Sequence, residues 1–499
     1  MEALTYEQLR TNIEQIADIY DFKIINDINE HATLKLTGIL RNEAGSNFVN
    51  QLRNHAPIQL FYKREDRRNW LFCGVITMSK VVFETDVHLV EIEAKSNTYL
   101  LDIEQKSRSF QDRNQDVHQL IEAVLVDYET PFLTIELPHQ PINQIRIQYQ
   151  ETDYQFIKRI ASLFNQGIVA NVQVPSIGLS VGMRQNRHGV EVDFKKVTFS
   201  SQLAKFDHMK RNFIPNLRET DFLVQEGSSY DVLALGQTVA LNGDMQMVSK
   251  ATYQLTQGLV EGHYCLQPFN GAQQMSLYNE ALTGTSHPGT VLAVSRDQVK
   301  VHLEMDERQD VETAVLLPYS TMAASEDGSG WYFMPQPGDQ VRVYLPTHDE
   351  DQAFASSAIS KHLPPAAPVV HDASSVQSNG THIGVSGAAG AKQVDRLSDP
   401  TTRFICSVTG HEIRLTKEGI VMQTADGTAQ LTLMNDGNVR LFGQKSIAVT
   451  ATEDITIRAG RELLISATES IKIECEANSS IALDKAGKTT LKGFEIKSN

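Results

Sequence analysis

Few residues in this sequence stand at spacings that could do chemistry. Gly178-Leu179-Ser180-Val181-Gly182 fits the G-x-S-x-G pattern of a nucleophile elbow, where a sharp strand-to-helix turn exposes the serine hydroxyl. The residues after it, MRQNRHGVEVDF, read as turn and then strand, so the required helix is not expected. Glu304, Asp306, Glu307 and Asp310 could surround a cation, but they lack EF-hand spacing and read as a solvated barrel loop. The histidines are scattered, with no H-E-x-x-H, and Gly384, Gly387 and Gly390 do not make G-x-G-x-x-G. Cys73, Cys265, Cys406 and Cys475 lie far apart without zinc spacing and read as small buried apolar residues. The sequence therefore predicts no catalytic residue, no metal ligand and no cofactor.

The informative pattern is mechanical, and it lies near the C-terminus. Read in steps of eight, one position gives Ile447, Ile455, Leu463 and Ile471. Two residues later stand Val449, Ile457, Ile465, Ile473 and Ile481, and two further on Ala451, Ala459, Ala467, Cys475 and Leu483. Apolar residues at i, i+2 and i+4 mark a strand with one buried face. The remaining three residues of each octad are polar corners such as Thr452-Glu453-Asp454. A helix keeps no face at this period. One octad is too short to close a coil by itself, whereas three chains wound round a common axis could each supply one face per layer. The expectation is an intertwined trimeric β-helix with Ile447, Val449, Ile455, Ile457, Leu463, Ile465, Ile471, Ile473 and Ile481 in its core. Before it, 411–444 alternates apolar and polar residues with turns at Lys417-Glu418-Gly419, Asp426-Gly427 and Asn435-Asp436-Gly437, which predicts a β-meander.

The rest of the chain must carry this projection. With 499 residues, 41% hydrophobic and 21% charged, the composition is that of a folded chain of several domains. The net charge of −16, with no basic cluster beyond the KREDRR segment at 63–68, argues against a nucleic-acid partner. No apolar run is long enough for a membrane helix, and the opening MEALTYEQLR carries no secretory pattern, so synthesis and assembly in the cytoplasm are expected. Thr5 and Gln8 predict a capped N-terminal helix with Leu9, Ile13, Ile16 and Tyr20 on one face. DVHQLIEAVLVDY predicts a second helix. YQETDYQFIKRIASLFNQGI predicts a third, capped by Thr152 and Gln155 and ended by Gly167. Strand-like runs fill the remainder of 1–270, and five short strands over 280–360 suggest an OB-type barrel. Residues 361–400 are rich in Pro, Ser, Gly and Ala and read as a linker or collar, leaving 401–499 for the spike.

At these residues the chain resembles a known family. QYQETDYQFIKRIASLFNQGI (148–168) is similar to the motif helix of VgrG-type proteins and phage tail hub proteins, with Thr152, Asp153, Tyr154, Phe156 and Ile157 at the motif positions. YLLDIEQKSRSFQDRNQDVHQLIEAVL (99–125) resembles their preceding strand and helix. GWYFMPQPGDQVRVYLPTHDEDQAF (330–354) resembles the closing strands of their OB domain, and the octads resemble their spike. The resemblance implies a mainly β fold: a β-barrel hub with inserted helices, an OB-fold neck and a C-terminal trimeric β-helix. It also implies a homotrimer whose hub docks on inner-tube and baseplate proteins and whose point meets a target membrane only by mechanical puncture. The chain ends without a His-x-His metal tip, so a separate PAAR-like tip protein is implied, with effector cargo as a further partner. Phage tails, type VI systems and extracellular injection particles all fit. The competing reading is a tailspike that degrades polysaccharide, or an adhesin. The octads are too narrow for a tailspike's carbohydrate groove, and 446–493 holds none of the aromatics an adhesin tip would need.

Overall fold

The computed structural model describes residues 3–41, 55–64, 67–83, 87–184, 186, 188–241, 243–321, 334–359, 403–407, 409–475 and 479–493. The fold is mainly β and divides into two units, Met1–Lys361 and His362–Asn499. Residues 361–400, expected as a linker or collar, and the Trp331-Tyr332-Phe333 run lie outside the described residues.

Alternating apolar residues build a twelve-stranded sheet in the first unit. Its main path runs Leu9–Thr11, Pro57–Arg64, Arg67–Phe83, His88–Ser96, Thr33–Leu40, Ile16–Asp27, Asp244–Thr256, Leu259–Gln267, Leu223–Ser229 and Lys196–Ser201, antiparallel throughout. One seam, from Lys250 opposite Asp27 to Gln254 opposite Lys23, joins an N-terminal half to a half built after residue 195. A single core crosses it, with Phe22, Leu34, Leu60 and Phe72 on one side and Val248, Tyr253, Tyr264 and Leu266 on the other. Each such side chain, fully buried, contributes about 1.5–3 kcal/mol. In the long strand Arg67–Phe83, every residue from Leu71 to Ile76 is buried, because Val172 covers the second face and accepts a hydrogen bond from Cys73 N–H at 2.8 Å. Gly74 sits where a Cβ would lie 2.1 Å from the Lys95 carbonyl oxygen, so only glycine lets the neighbouring strand close. Cys73 and Cys265 are free thiols, and burial pushes the Cys73 thiol up to about 12.

The predicted N-terminal helix is replaced by a single 3-10 turn, Tyr6–Gln8, followed by strands. Gln8 does reach back to Thr5 N–H at 2.9 Å, but Tyr20 is 70% exposed. The strand Ile16–Asp27 carries two β-bulges, between Ile16 and Asp18 and between Ile19 and Asp21. Each bulge adds a residue, so the buried positions Ile16, Ile19 and Phe22 fall three apart and imitate a helical period.

Between the halves, residues 97–181 form an insertion with its own core. Helix α1 (Val117–Val124) is capped by Asp116 and buries Val117, Leu120, Ile121 and Val124, in line with the sequence pattern. Helix α2 (Asp153–Ser162) is capped by Thr152, which accepts from Gln155 N–H at 3.2 Å. The left-handed residue that ends it is Asn165 (φ 55°) and not the expected Gly167. Gly167 instead admits Ile28, whose Cγ2 would be 2.6 Å from a Cβ there. A further helix, α3 (Leu203–Asn212), was not expected from the sequence. It buries only Phe206 and Met209 and lacks a capping side chain, so it carries little periodic signal.

After the sheet, five strands in the order Leu316–Pro318, Gln298–Leu303, Thr285–Ser295, Gln340–Leu345 and Phe354–Ile359 form a second, antiparallel sheet. Its edges meet, since Tyr319 bridges Ala355 and Ser320 N–H donates to Ala355 O at 2.8 Å. The tight connection at Ser295-Arg296-Asp297 places Arg296 at φ 53°. Val291, Val299, Val301, Val341 and Val343 fill the interior, joined by Ile145 and Ile147 from the insertion.

The second unit opens with a five-stranded meander of Arg403–Cys406, Glu412–Leu415, Gly419–Gln423, Ala429–Met434 and Val439–Gly443, each strand paired with the next. Its turns fall at the predicted glycines, with Gly427 at φ 68° and Gly437 at φ 86°. Residues 444–469 form no strand. The last octads depart from the expected repeat. Ser470–Cys475 and Ser479–Asp484 pair with each other as an antiparallel hairpin, Ile473 opposite Ile481, and Thr489–Lys492 adds a third strand. Within one chain, a hairpin is the nearest way to satisfy those backbone groups.

Candidate functional sites

The motif around Thr152 is where the insertion, the large sheet and the five-stranded barrel are tied together. The strand Arg146–Thr152 runs directly into α2, so consecutive side chains point to different partners. Thr152 donates its hydroxyl to Asp102 at 2.5 Å. Asp102 also faces His31 Nε2 at 3.1 Å. Burial would raise the Asp102 carboxyl, yet the hydrogen bonds from His31 and Thr152 hold it below its ordinary range. Asp153 is fully buried at the first turn of α2, where the helix dipole favours an anion. It accepts from Arg108 at 2.7 Å, Lys106 at 2.9 Å, Tyr128 at 2.7 Å and Gln148 at 2.9 Å. Tyr154 packs its ring 4.0 Å from His31, and burial raises its phenol. Phe156 stacks on Phe110 at 5.5 Å, and Ile157 is completely buried. Every motif residue is therefore inside the protein, and the motif cannot itself touch a partner.

Next along α2, Arg159 makes a second buried cluster. Its guanidinium donates to Glu151 at 3.0 Å, to Ile147 O at 2.8 Å and to Glu350 at 3.0 Å. Glu350 comes from the barrel and also accepts from Arg146 at 3.3 Å. Two cations and two anions thus meet inside a buried joint, with Asp351 a further anion near Arg146. Burial lifts the Glu151 carboxyl, while hydrogen bonds from Arg159 oppose the shift. Gln111 donates to Val301 O at 3.1 Å, adding a neutral stitch between insertion and barrel. Asp306, expected in a solvated loop, instead accepts from Ser109 N–H at 2.6 Å and Ser109 Oγ–H at 2.5 Å. Glu304, Glu307 and Asp310 do remain exposed. Sequence reasoning missed Glu151, Arg159 and Glu350 altogether, because their partners lie up to 204 residues apart.

The G-x-S-x-G run forms an ordinary strand, Gly178–Val181, between Ile168–Ala170 and Phe132–Ile135, and no helix follows before Val190 among the described residues. Asp116, His118 and His139, none of them flagged by spacing, are brought within reach of one another. No described helix is long and apolar enough to cross a membrane.

In the second unit, the octad residues face solvent. Val449 is 67% exposed and Ile457 68%, and Ile447, Ile455, Leu463, Ile465, Ile473 and Ile481 are likewise exposed, with Ile471 half-buried. Residues 445–469 make no backbone–backbone hydrogen bond among the described residues. Exposed aliphatic side chains and backbone without ladder hydrogen bonds are both features that natural chains normally protect.

Residues 30–174 match the family model described as phage tail baseplate hub (GPD). A solved Escherichia coli protein is similar in fold, with a TM-score of 0.51 at 13% identity, covering 70% of this chain and 99% of its own. It is described as a component of the type VI secretion system with structural similarity to the T4 bacteriophage tail proteins gp27 and gp5. A Francisella PdpA–VgrG complex aligns at a TM-score of 0.48 and 9% identity, over 85% of this chain and 83% of the other. No curated protein matches the sequence.

Proposed function

We propose, starting from the match of residues 30–174 to the phage tail baseplate hub model, that the whole chain is the trimeric central hub and spike of a contractile injection system. In this reading the first unit forms the hub and an OB-type neck, which dock on inner-tube and baseplate proteins. The octads of three chains wind into the puncturing β-helix, topped by a PAAR-like tip protein. The observation that carries it is the exposed aliphatic stripe on a backbone without partners. Three copies wound together would bury the stripe and pair the backbone in one step. No catalytic role is assigned, and the clusters around Asp153 and Arg159 are buried joints between the first unit's own elements.

Light scattering of the purified chain at several concentrations tests this reading. A concentration-independent mass of three times 55.6 kDa is expected, and a monomer at every concentration overturns it. Each layer of such a core would bury three aliphatic side chains, so an aspartate at one layer costs roughly 5–9 kcal/mol per trimer. The Ile457→Asp/Ile465→Asp variant should therefore be monomeric while keeping the far-ultraviolet circular dichroism of the first unit. A variant that stays trimeric places the trimer contact outside the stripe.

A further inference from the structure

At the amino end of α1, one ligand atom each from Asp116, His118 and His139 lies within 4.8 Å of the others. The two backbone segments that carry them are already zipped together. Val117 N–H donates to Gln140 O at 3.1 Å, Ile142 N–H to Gln115 O at 3.0 Å and Asn143 N–H to Arg113 O at 3.0 Å. His118 Nε2 lies 2.9 Å from the Leu137 carbonyl oxygen. A carbonyl can only accept, so Nε2 bears the proton and Nδ1 is left with its lone pair. That fixed tautomer, with the far ring nitrogen tied to a carbonyl, is the outer-shell arrangement of metal-bound histidines. His139 stacks on His118 with centroids 3.8 Å apart, and its Nδ1 is 3.4 Å from Asp116 Oδ1. Its side chain is 77% exposed, so its ring can turn without disturbing the core.

We propose that Asp116, His118 and His139 form a surface site for a borderline divalent transition metal such as zinc. Two imidazoles and a carboxylate suit such an ion, and the fourth position is left to water. Tetrahedral bonds of about 2.0–2.2 Å put ligand atoms ~3.3 Å apart, so the cluster must draw together to hold an ion. The exposed His139 ring is free to turn toward the other two ligands. The positive end of α1 opposes a cation, and the Asp116 carboxylate offsets it. The bound ion would clamp the Leu137–Ile142 segment to α1.

The test titrates the full chain with Zn²⁺ by calorimetry and with Co²⁺ by visible d–d absorption, beside His139→Ala and Asp116→Asn. Asparagine still caps the helix and the His139 side chain is exposed, so both variants should fold, which circular dichroism checks. One ion per chain, a tetrahedral Co²⁺ spectrum and at least about a tenfold loss of affinity in each variant are expected. A metal-induced rise in Tm should disappear in His139→Ala. The site is overturned by absence of saturable binding, or by binding that His139→Ala leaves unchanged, which would mean that other histidines hold the ion.

Discussion

Replacing Glu350 with alanine removes one of two anions from the joint between insertion and barrel. Arg159 then keeps only Glu151 of its two anions, and Arg146 keeps only the charge of the neighbouring Asp351. The Arg159 and Glu350 side chains are only 5% and 4% exposed, so water cannot take over the missing role. Breaking a buried ion pair by removing one partner costs about 3–5 kcal/mol. At 1.36 kcal/mol per decade, local opening of the joint becomes roughly two to nearly four decades more frequent. Hydrogen–deuterium exchange followed by mass spectrometry should register this across Arg146–Thr152 and Gln340–Leu345. The discriminating control is Arg146→Met/Glu350→Leu, which removes a cation and an anion together and leaves Arg159 with Glu151. Charge balance returns, and protection should recover to within about tenfold of the parent. Unchanged exchange in Glu350→Ala would refute the argument, as would a double variant no better protected than the single.

Two further predictions concern single residues. His287 is buried in the barrel, 2.8 Å from Thr285 Oγ1 and edge-on to Tyr149, and burial followed by the charge of Arg342 lowers its pKa. The unfolded chain then takes up the proton first, so the stability that His287 provides is complete above about pH 6.5 and is lost as pH falls toward its folded value. Thermal midpoints should drop over that window, and a His287→Gln variant with the same slope would contradict the assignment. Gly74→Ala sets a Cβ against the Lys95 backbone, which cannot swing aside, and should cost at least about 1–3 kcal/mol in urea unfolding. A variant as stable as the parent would show that the two strands can separate.

Local patterns were legible where one element explains its own residues. α1 and α2 each announce themselves by a capping side chain and an apolar face, and the meander by glycines that permit left-handed turns. The same logic failed for the expected helix face Leu9, Ile13, Ile16 and Tyr20, where two bulges interrupt the strand period and Tyr20 points to solvent. It failed again at α3, where only Phe206 and Met209 are buried. Thr152 and Asp153 were found by motif, yet nothing in the sequence indicated that Asp153 meets Lys106 and Arg108, or that Arg159 meets Glu350.

The sequence by itself determined the apolar faces of α1, α2 and the barrel strands, since side-chain direction repeats with the local backbone. What lies against each face was decided only by tertiary structure. Glu350 reaches Arg159 and Asp306 reaches Ser109 across 191 and 197 residues, and His139 comes to His118 only because 137–143 folds back on 112–118. A charge or a ring nitrogen carries no period that points to its partner. Such pairs exist only after the apolar faces have packed and brought them together.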